Sequence, residues 1–208
     1  MILEQLVVGP LDVNCYLVGD DIIKDAVCID PGGDADVIYG AIKKVGLQIR
    51  YIINTHGHFD HTGGNELLKQ KTGASIAIHK DDVSLFDEAA SHATFFGISS
   101  ETPPKPDMFL NEGDIIRVGR LEIKVIHTPG HTKGGVSLFL DNVLFTGDTL
   151  FAGSVGRTDF PGGSLEQLIS SIKNKLLPLG DSVVVYPGHG PTTTIGKEKK
   201  HNTFLTGE

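Results

Sequence analysis

Three imidazoles and a carboxylate crowd into the string Thr55-His56-Gly57-His58-Phe59-Asp60-His61. A folded core has little use for them, because each needs a polar partner once it leaves water. A metal ion uses them well. His56 and His58 are two positions apart, so an extended backbone projects both rings to one side. His61 follows after a turn and points elsewhere. One ion at His56 and His58, with a second at Asp60 and His61, is the natural division. Imidazole nitrogen and carboxylate oxygen both suit zinc, with bonds of about 2.0–2.2 Å.

Such a site needs further donors, and three candidates sit in similar settings. His131 lies in Thr128-Pro129-Gly130-His131-Thr132, Asp148 in Phe145-Thr146-Gly147-Asp148-Thr149, and His189 in Tyr186-Pro187-Gly188-His189-Gly190. An apolar run precedes each, and a glycine stands beside the polar residue. Glycine permits tight turns and close backbone approach, which gives part of the total of 26 glycines a cause. His79, His92 and His201 lack this context. His127 leads into the turn before His131 and is expected to lie buried near the site without being a ligand.

The elements that must hold these residues can be read from the pattern. Ile2–Val8, Val13–Val18 and Ala26–Ile29 alternate with turn signals and read as antiparallel strands. Cys15 and Cys28 fall on two of them, as small buried cross-strand neighbours. Asp34 to Val45 changes to a helical period and ends at Gly46. Arg50–Asn54 is a buried strand leading into the histidine string. A short helix over Glu66–Lys71 and a strand over Ser75–Ile78 follow. Residues 80–107 read as a short helix and then a proline-rich crossover, a connection rather than a lid. Strands resume over Ile115–Val118, Leu121–Ile126, Val136–Leu140 and Val143–Phe145, the last two joined as a tight hairpin. Ser164 to Leu177 is a helix with a Ser164/Gln167 capping box. Ser182–Tyr186 is a last strand, and a short polar helix follows Gly196. Strands then a helix in each half imply an α/β fold, an αββα sandwich of two mixed sheets with helices outside.

Bulk composition narrows the class. The 208 residues carry 18 Lys+Arg against 26 Asp+Glu, a net charge of −8. That balance argues against nucleic acid as a partner. No apolar run approaches the ~18 residues of a membrane span, and Met1–Gly9 lacks a basic start and carries Glu4, so no signal peptide is expected. Two cysteines are too few for a disulfide scaffold. A cytoplasmic protein of one domain over residues 1–208 is expected, with no membrane partner. Nothing in the sequence bears on oligomeric state.

Taken in order, from Asp30-Pro31-Gly32 to His189, these motifs resemble the metallo-β-lactamase fold superfamily. The resemblance implies that His56, His58 and His131 hold a first divalent ion, that Asp60, His61 and His189 hold a second, and that Asp148 bridges them. All seven positions match, which favours two ions; zinc is expected, with iron or manganese tolerated by the same donors. Asp30 matches a supporting residue of the family rather than a ligand. Within the superfamily the chain is similar to the glyoxalase II group, the hydroxyacylglutathione hydrolases, in its short bacterial form. The Thr55–His61 string and Phe151–Phe160 recur there. The implied activity is hydrolysis of a small-molecule thioester by a metal-bridging hydroxide, with Asp60 orienting it and accepting its proton. A thiolate of pKa near 8.5 leaves without much acid catalysis.

Two features qualify the resemblance. The string Gly156-Arg157-Thr158-Asp159-Phe160 is also similar to the iron-dependent persulfide dioxygenases, the first alternative. A hydrolase of lactones, β-lactams or phosphodiesters is the second, and the acidic balance counts against the last of these. Longer glyoxalase II enzymes carry a C-terminal helical domain that grips glutathione, and the 208 − 189 = 19 residues after His189 leave no room for one. Arg157 then stands as a candidate for substrate binding through a carboxylate, or for a salt bridge. Lys197, Lys199 and Lys200 read as the solvated face of a surface helix.

Overall fold

The computed structural model describes residues 1–98 and 102–207. Two six-stranded sheets stack face to face. The first has the order β1 (Ile2–Val8), β2 (Val13–Gly19), β3 (Asp25–Ile29), β4 (Gln48–Ile53), β5 (Ser75–His79) and β6 (Met108–Leu110). The second comprises β7 (Ile115–Val118), β8 (Leu121–His127), β9 (Val136–Leu140), β10 (Val143–Gly147), β13 (Val184–Pro187) and β14 (Thr193–Thr194), in the order β14-β13-β10-β9-β8-β7. A two-stranded ribbon, β11 (Leu150–Phe151) with β12 (Ser154–Val155), stands apart from both. Helices α1 (Ala35–Val45), α2 (Phe59–Thr62), α3 (Asn65–Thr72) and α4 (Val83–Phe95) belong to the first half, and α5 (Leu165–Ser171), α6 (Ile195–His201) and α7 (Thr203–Thr206) to the second. The αββα reading is correct, and no described helix is long and apolar enough to cross a membrane.

The side-chain period of a strand builds the layers. On β2 every residue is buried, because both faces are covered. Tyr16 and Val18 face the second sheet and pack with Val27, Ile53, Leu138 and Phe145. Cys15 and Leu17 face outward and pack with Ile38 and Ile42 of α1 and Leu68 of α3. Cys15 and Cys28 are buried and free, with their sulfurs 3.5 Å apart. On the far side, Leu168, Ile172 and Leu176 cover Leu144 and Val185.

Local signals carry most of these elements. Gly46 closes α1 in the left-handed conformation, with φ 73°. Asp141, at φ 52°, turns the hairpin that pairs Val143 with Leu140. Ser164 Oγ accepts the Gln167 N–H at 3.3 Å, one half of the expected capping box, while the Ser164 N–H donates to the Gly130 carbonyl rather than to the Gln167 side chain. The helix predicted through Leu177 departs from α geometry after Ser171. It widens to a π turn over Ile172–Leu176 and ends as a 3-10 turn over Leu177–Leu179. Pro178 has no N–H with which to continue the ladder, and Ile172 and Leu176 are fully buried. The proline-rich crossover lacks regular structure over 102–106, and its residues 99–101 lie outside the described set.

Parallel pairing positions the site. Strands β3 and β4 run parallel, so Asp30 and the His56 string leave the first sheet at the same end. Strands β10 and β13 are also parallel, which brings Asp148 and His189 together. Ligands in α/β proteins commonly gather in the crevice beyond such carboxyl ends.

Candidate metal centre

All seven residues singled out as ligands converge there. His56, His58 and His131 offer nitrogens within 4.8 Å of one another, and so do Asp60, His61 and His189 with their own donor atoms. His131 Nε2 stands 3.0 Å from His58 Nδ1. Two nitrogens bound to one zinc at about 2.05 Å and a tetrahedral angle sit roughly 3.3 Å apart, so this pair has nearly the spacing of co-ligands. Asp60 Oδ2 is 3.4 Å from His189 Nε2 and 3.7 Å from His61 Nε2. Asp148 lies between the groups, 3.4 Å from His61 Nε2, 3.6 Å from His131 Nε2 and 3.7 Å from His189 Nε2.

The donors fit a cation by a stricter test. Buried polar atoms in native proteins almost always find a partner. Among the described residues, the buried side-chain atoms without one are His56 Nε2, both nitrogens of His61, and Asp148 Oδ1. His61 Nδ1 does lie 3.0 Å from Asp30 Oδ2, off the angle of a hydrogen bond. His56 Nε2, His61 Nε2 and Asp148 Oδ1 therefore stand together, buried and without a donor, as a metal site requires.

Neighbouring groups set the ring tautomers. Thr55 Oγ1 donates to Asp30 Oδ2 at 2.7 Å, and the Thr55 N–H donates to Asp30 Oδ1. That hydroxyl can then accept from His56 Nδ1, 3.1 Å away, which turns the Nε2 lone pair inward. His131 Nδ1 is 2.7 Å from the Arg157 carbonyl and must donate to it, leaving its Nε2 free. Asp30 thus stands behind both His56 and His61, the supporting place the sequence implied.

A residue the sequence did not single out ties two of these loops together. Asp82 is fully buried at the start of α4. Its Oδ2 accepts from the Gly57 N–H at 3.1 Å and from Thr132 Oγ1 at 2.7 Å, and its Oδ1 accepts from the Gly134 N–H at 2.6 Å. Gly57 lies between His56 and His58, while Thr132 and Gly134 follow His131. Asp82 stands in an ordinary polar run, so no spacing in the chain marked it. Near His189, Tyr16 Oη donates to the Pro187 carbonyl at 2.7 Å, and Asn14 Nδ2 donates to the same oxygen at 3.0 Å. Gly188 must be glycine, because a Cβ there would collide with Asp148 Oδ1.

Electrostatics hold the donors in their binding forms. Burial, then the imidazoles around it, pushes His56 well below the usual range, and burial with His131 takes His58 down to about 3. Both rings are neutral. Burial alone would raise Asp60 and Asp148, but His61 in particular outweighs it and both stay below the ordinary carboxylate range. Burial opposes charge on His61, yet Asp148, Asp30 and Asp60 hold it well above the usual range. The carboxylates there call for a positive charge, which a proton or a metal ion supplies.

The remaining histidines lie outside the donor cluster, although His92 lines the cavity beside it. His127 is half-buried, but outside the cluster. It stacks on His79 at 4.2 Å with planes 7° apart, and its Nε2 is 2.9 Å from the Lys133 carbonyl. Asp81 lies near both rings, but rings this parallel do not aim their lone pairs at one point. Arg157 borders the cluster, forming a bidentate pair with Asp159 at 2.7 Å for both bonds and stacking over Phe160. Of its two expected roles, the structure shows the salt bridge. Lys199 pairs with Asp181 on the exposed face of α6. Beyond the donors opens a cavity of about 740 Å³, one wall of which is α4. The stretch read as a connection therefore also lines the site.

Two stacked mixed sheets with a His/Asp cluster at the strand ends define a metal-dependent hydrolase scaffold. The metallo-beta-lactamase superfamily model matches residues 8–189, and the chain belongs to that superfamily. It is 42% identical over 210 residues to the hydroxyacylglutathione hydrolase GloC of Haemophilus influenzae, with 99% of this chain and 98% of that protein aligned. Among solved structures it resembles BLEG-1 B3 metallo-beta-lactamase, with a TM-score of 0.92 and 37% identity over 99% of this chain and 100% of that one. It also resembles TTHA1623 in a di-iron-bound form, with a TM-score of 0.89 and 36% identity over 97% and 100% of the two chains.

Proposed function

We propose that the protein is a cytoplasmic thioesterase of the hydroxyacylglutathione hydrolase type with two divalent ions, zinc in the first instance. His56, His58 and His131 would hold one ion and Asp60, His61 and His189 the other, with Asp148 shared. The observation that carries this reading is the pair of donor groups joined by Asp148, together with the unpartnered His56 Nε2, His61 Nε2 and Asp148 Oδ1 among them. The thioester rests on likeness to GloC, 98% of whose length aligns with this chain.

Bound divalent ions supply Lewis acidity, which brings water near neutral pH to its nucleophilic form and polarises a carbonyl. The chain supplies the rest. Asp60 orients the nucleophile and accepts its proton at Oδ1, since Oδ2 is the oxygen that stands with His61 and His189. Asp30, through Thr55, holds His56 in one tautomer, and the Arg157 carbonyl does the same for His131. No carboxylic acid need protonate the departing thiolate. Metal analysis of the purified protein, coupled to thiol release from an acylglutathione, tests the reading. Zinc with thiol release is expected. No release from this ester or from an apolar thioester, with a control enzyme active in the same assay, rejects it.

A second reading has a specific basis. The Gly156–Phe160 string resembles the persulfide dioxygenases, and a close structural relative holds iron. Bound iron with oxygen uptake on a persulfide, and no thioester cleavage, would select it.

A further inference from the structure

The cavity beside the metal donors has a composition the proposed chemistry does not require. One side is a ridge of aromatic rings. It starts at His58, whose ring centre is 5.7 Å from that of Phe160. Phe96 lies 6.4 Å beyond Phe160, and Phe95 is 5.6 Å beyond Phe96. Phe96 also leans on the buried Phe59 at 5.8 Å. Phe95 is 88% exposed and Phe96 48%. Large apolar rings gathered in water beside a site mark a surface that something apolar covers.

The charges point the same way. An acylglutathione brings two carboxylates, and a site built for it needs free cations. Arg157 is the one lysine or arginine among the described lining residues. Its Nε and Nη2 donate to Asp159 in an exposed pair that leaves Nη1 free, and its face lies 3.8 Å from the centre of the Phe160 ring. Glu88 of α4 also lines the cavity, and its carboxylate stands 3.5 Å from His92. This face offers a substrate carboxylate one exposed guanidinium already paired with Asp159 and no ammonium, and it offers an apolar group the adjacent rings of Phe160, Phe96 and Phe95.

We propose that the Phe160–Phe96–Phe95 ridge is a specificity surface for the larger half of the substrate, and that this half is a bulky apolar group, aromatic or branched, rather than a carboxylate-bearing peptide. The inference rests on the thioesterase reading and narrows its substrate class. Pockets of this kind take most of their affinity from apolar walls and use a few polar groups for orientation. Here the metal donors provide the orientation and α4 with Phe160 provides the wall.

The test compares two acetyl thioesters on the zinc-loaded protein, S-acetylglutathione and S-benzyl thioacetate, each rate divided by that ester's hydrolysis in buffer. The benzyl ester is expected to show at least a tenfold higher normalised kcat/KM. Phe96→Ser should cut that preference about tenfold, through the KM of the benzyl ester rather than kcat, as loss of uniform binding does. Phe95→Ser, at an exposed position, guards against a folding artefact and should move the ratio the same way. Preference for the glutathione ester, or an unchanged ratio in both variants, overturns the proposal. So does a change of oligomeric state in Phe95→Ser with the ratio intact, because the ridge would then serve a second copy of the chain. If neither ester is cleaved, the thioesterase reading fails separately. Calorimetric binding of the uncleaved benzyl ester then decides: binding about tenfold weaker in Phe96→Ser upholds the wall, and equal or absent binding removes it.

Discussion

Removing the Asp82 carboxylate should loosen one half of the metal centre and leave the other in place. Asp82→Ala leaves the Gly57 and Gly134 N–H groups buried without their acceptor, while the Thr132 hydroxyl can rotate to another partner. Each orphaned donor costs about 1–3 kcal/mol. Part of that is offset, because burial raises the Asp82 carboxyl and its removal relieves that desolvation. A net loss of about 3 kcal/mol is expected, and at roughly 2–4 °C per kcal/mol for a chain of this size the thermal midpoint falls by about 6–12 °C. The three bonds end on residues beside His56, His58 and His131, whereas none reaches Asp60, His61 or His189. Supporting bonds behind metal ligands are typically worth about 10–100-fold in affinity, so one equivalent of metal should weaken by that factor and the other should not. Melting of the metal-free protein measures the first effect. Stepwise metal titration against a chelator, with cobalt absorption to tell the equivalents apart, measures the second. A variant that melts lower yet binds both equivalents as tightly as the wild type would show that Asp82 only stabilises the fold. Equal weakening of both would refute the two-group division.

Three further outcomes are expected. Asp60→Ala should lower thioester turnover by about 10²-fold or more, the scale of general-base catalysis, with the metal-free melting point little changed; a fully active variant defeats the proposed role. Thr55→Val removes the hydroxyl linking His56 to Asp30 at nearly constant volume, and should weaken metal binding about 10–100-fold, with Thr55→Ser restoring it; chelator competition reads both. Asp20 is buried and accepts from the Arg120 guanidinium and three backbone N–H groups, which together hold its carboxyl well below the ordinary range. A carboxyl depressed by folding lends stability that is fully present above its unfolded pKa of about 3.9 and fades as pH falls. Arg120→Ala should therefore be less stable at pH 7, with a gap that narrows below pH 4 in urea titrations; a gap that widens there contradicts the ion-pair account.

The chain's order of residues was enough to single out the seven side chains that cluster, because metal chemistry demands rare side chains at short, regular spacing. His56, His58, Asp60 and His61 announce themselves within one turn of chain, and His131, Asp148 and His189 share a strand-then-glycine setting. Hydrophobic period likewise determined the layers: alternate residues of β2 face opposite cores, and Leu168, Ile172 and Leu176 line one helix face. Folding alone decided what depends on contacts between distant segments. Asp82 meets Gly134 across 52 positions, and Tyr16 meets Pro187 across 171, and neither leaves a local trace. The widening of the last helix to a π turn over Ile172–Leu176 likewise had no mark in the pattern. The ridge of Phe95, Phe96 and Phe160 exists only once α4 lies beside the loop after β12. Local pattern determines which atoms can bind a metal; tertiary packing decides which carboxylate steadies them and which surface their substrate meets.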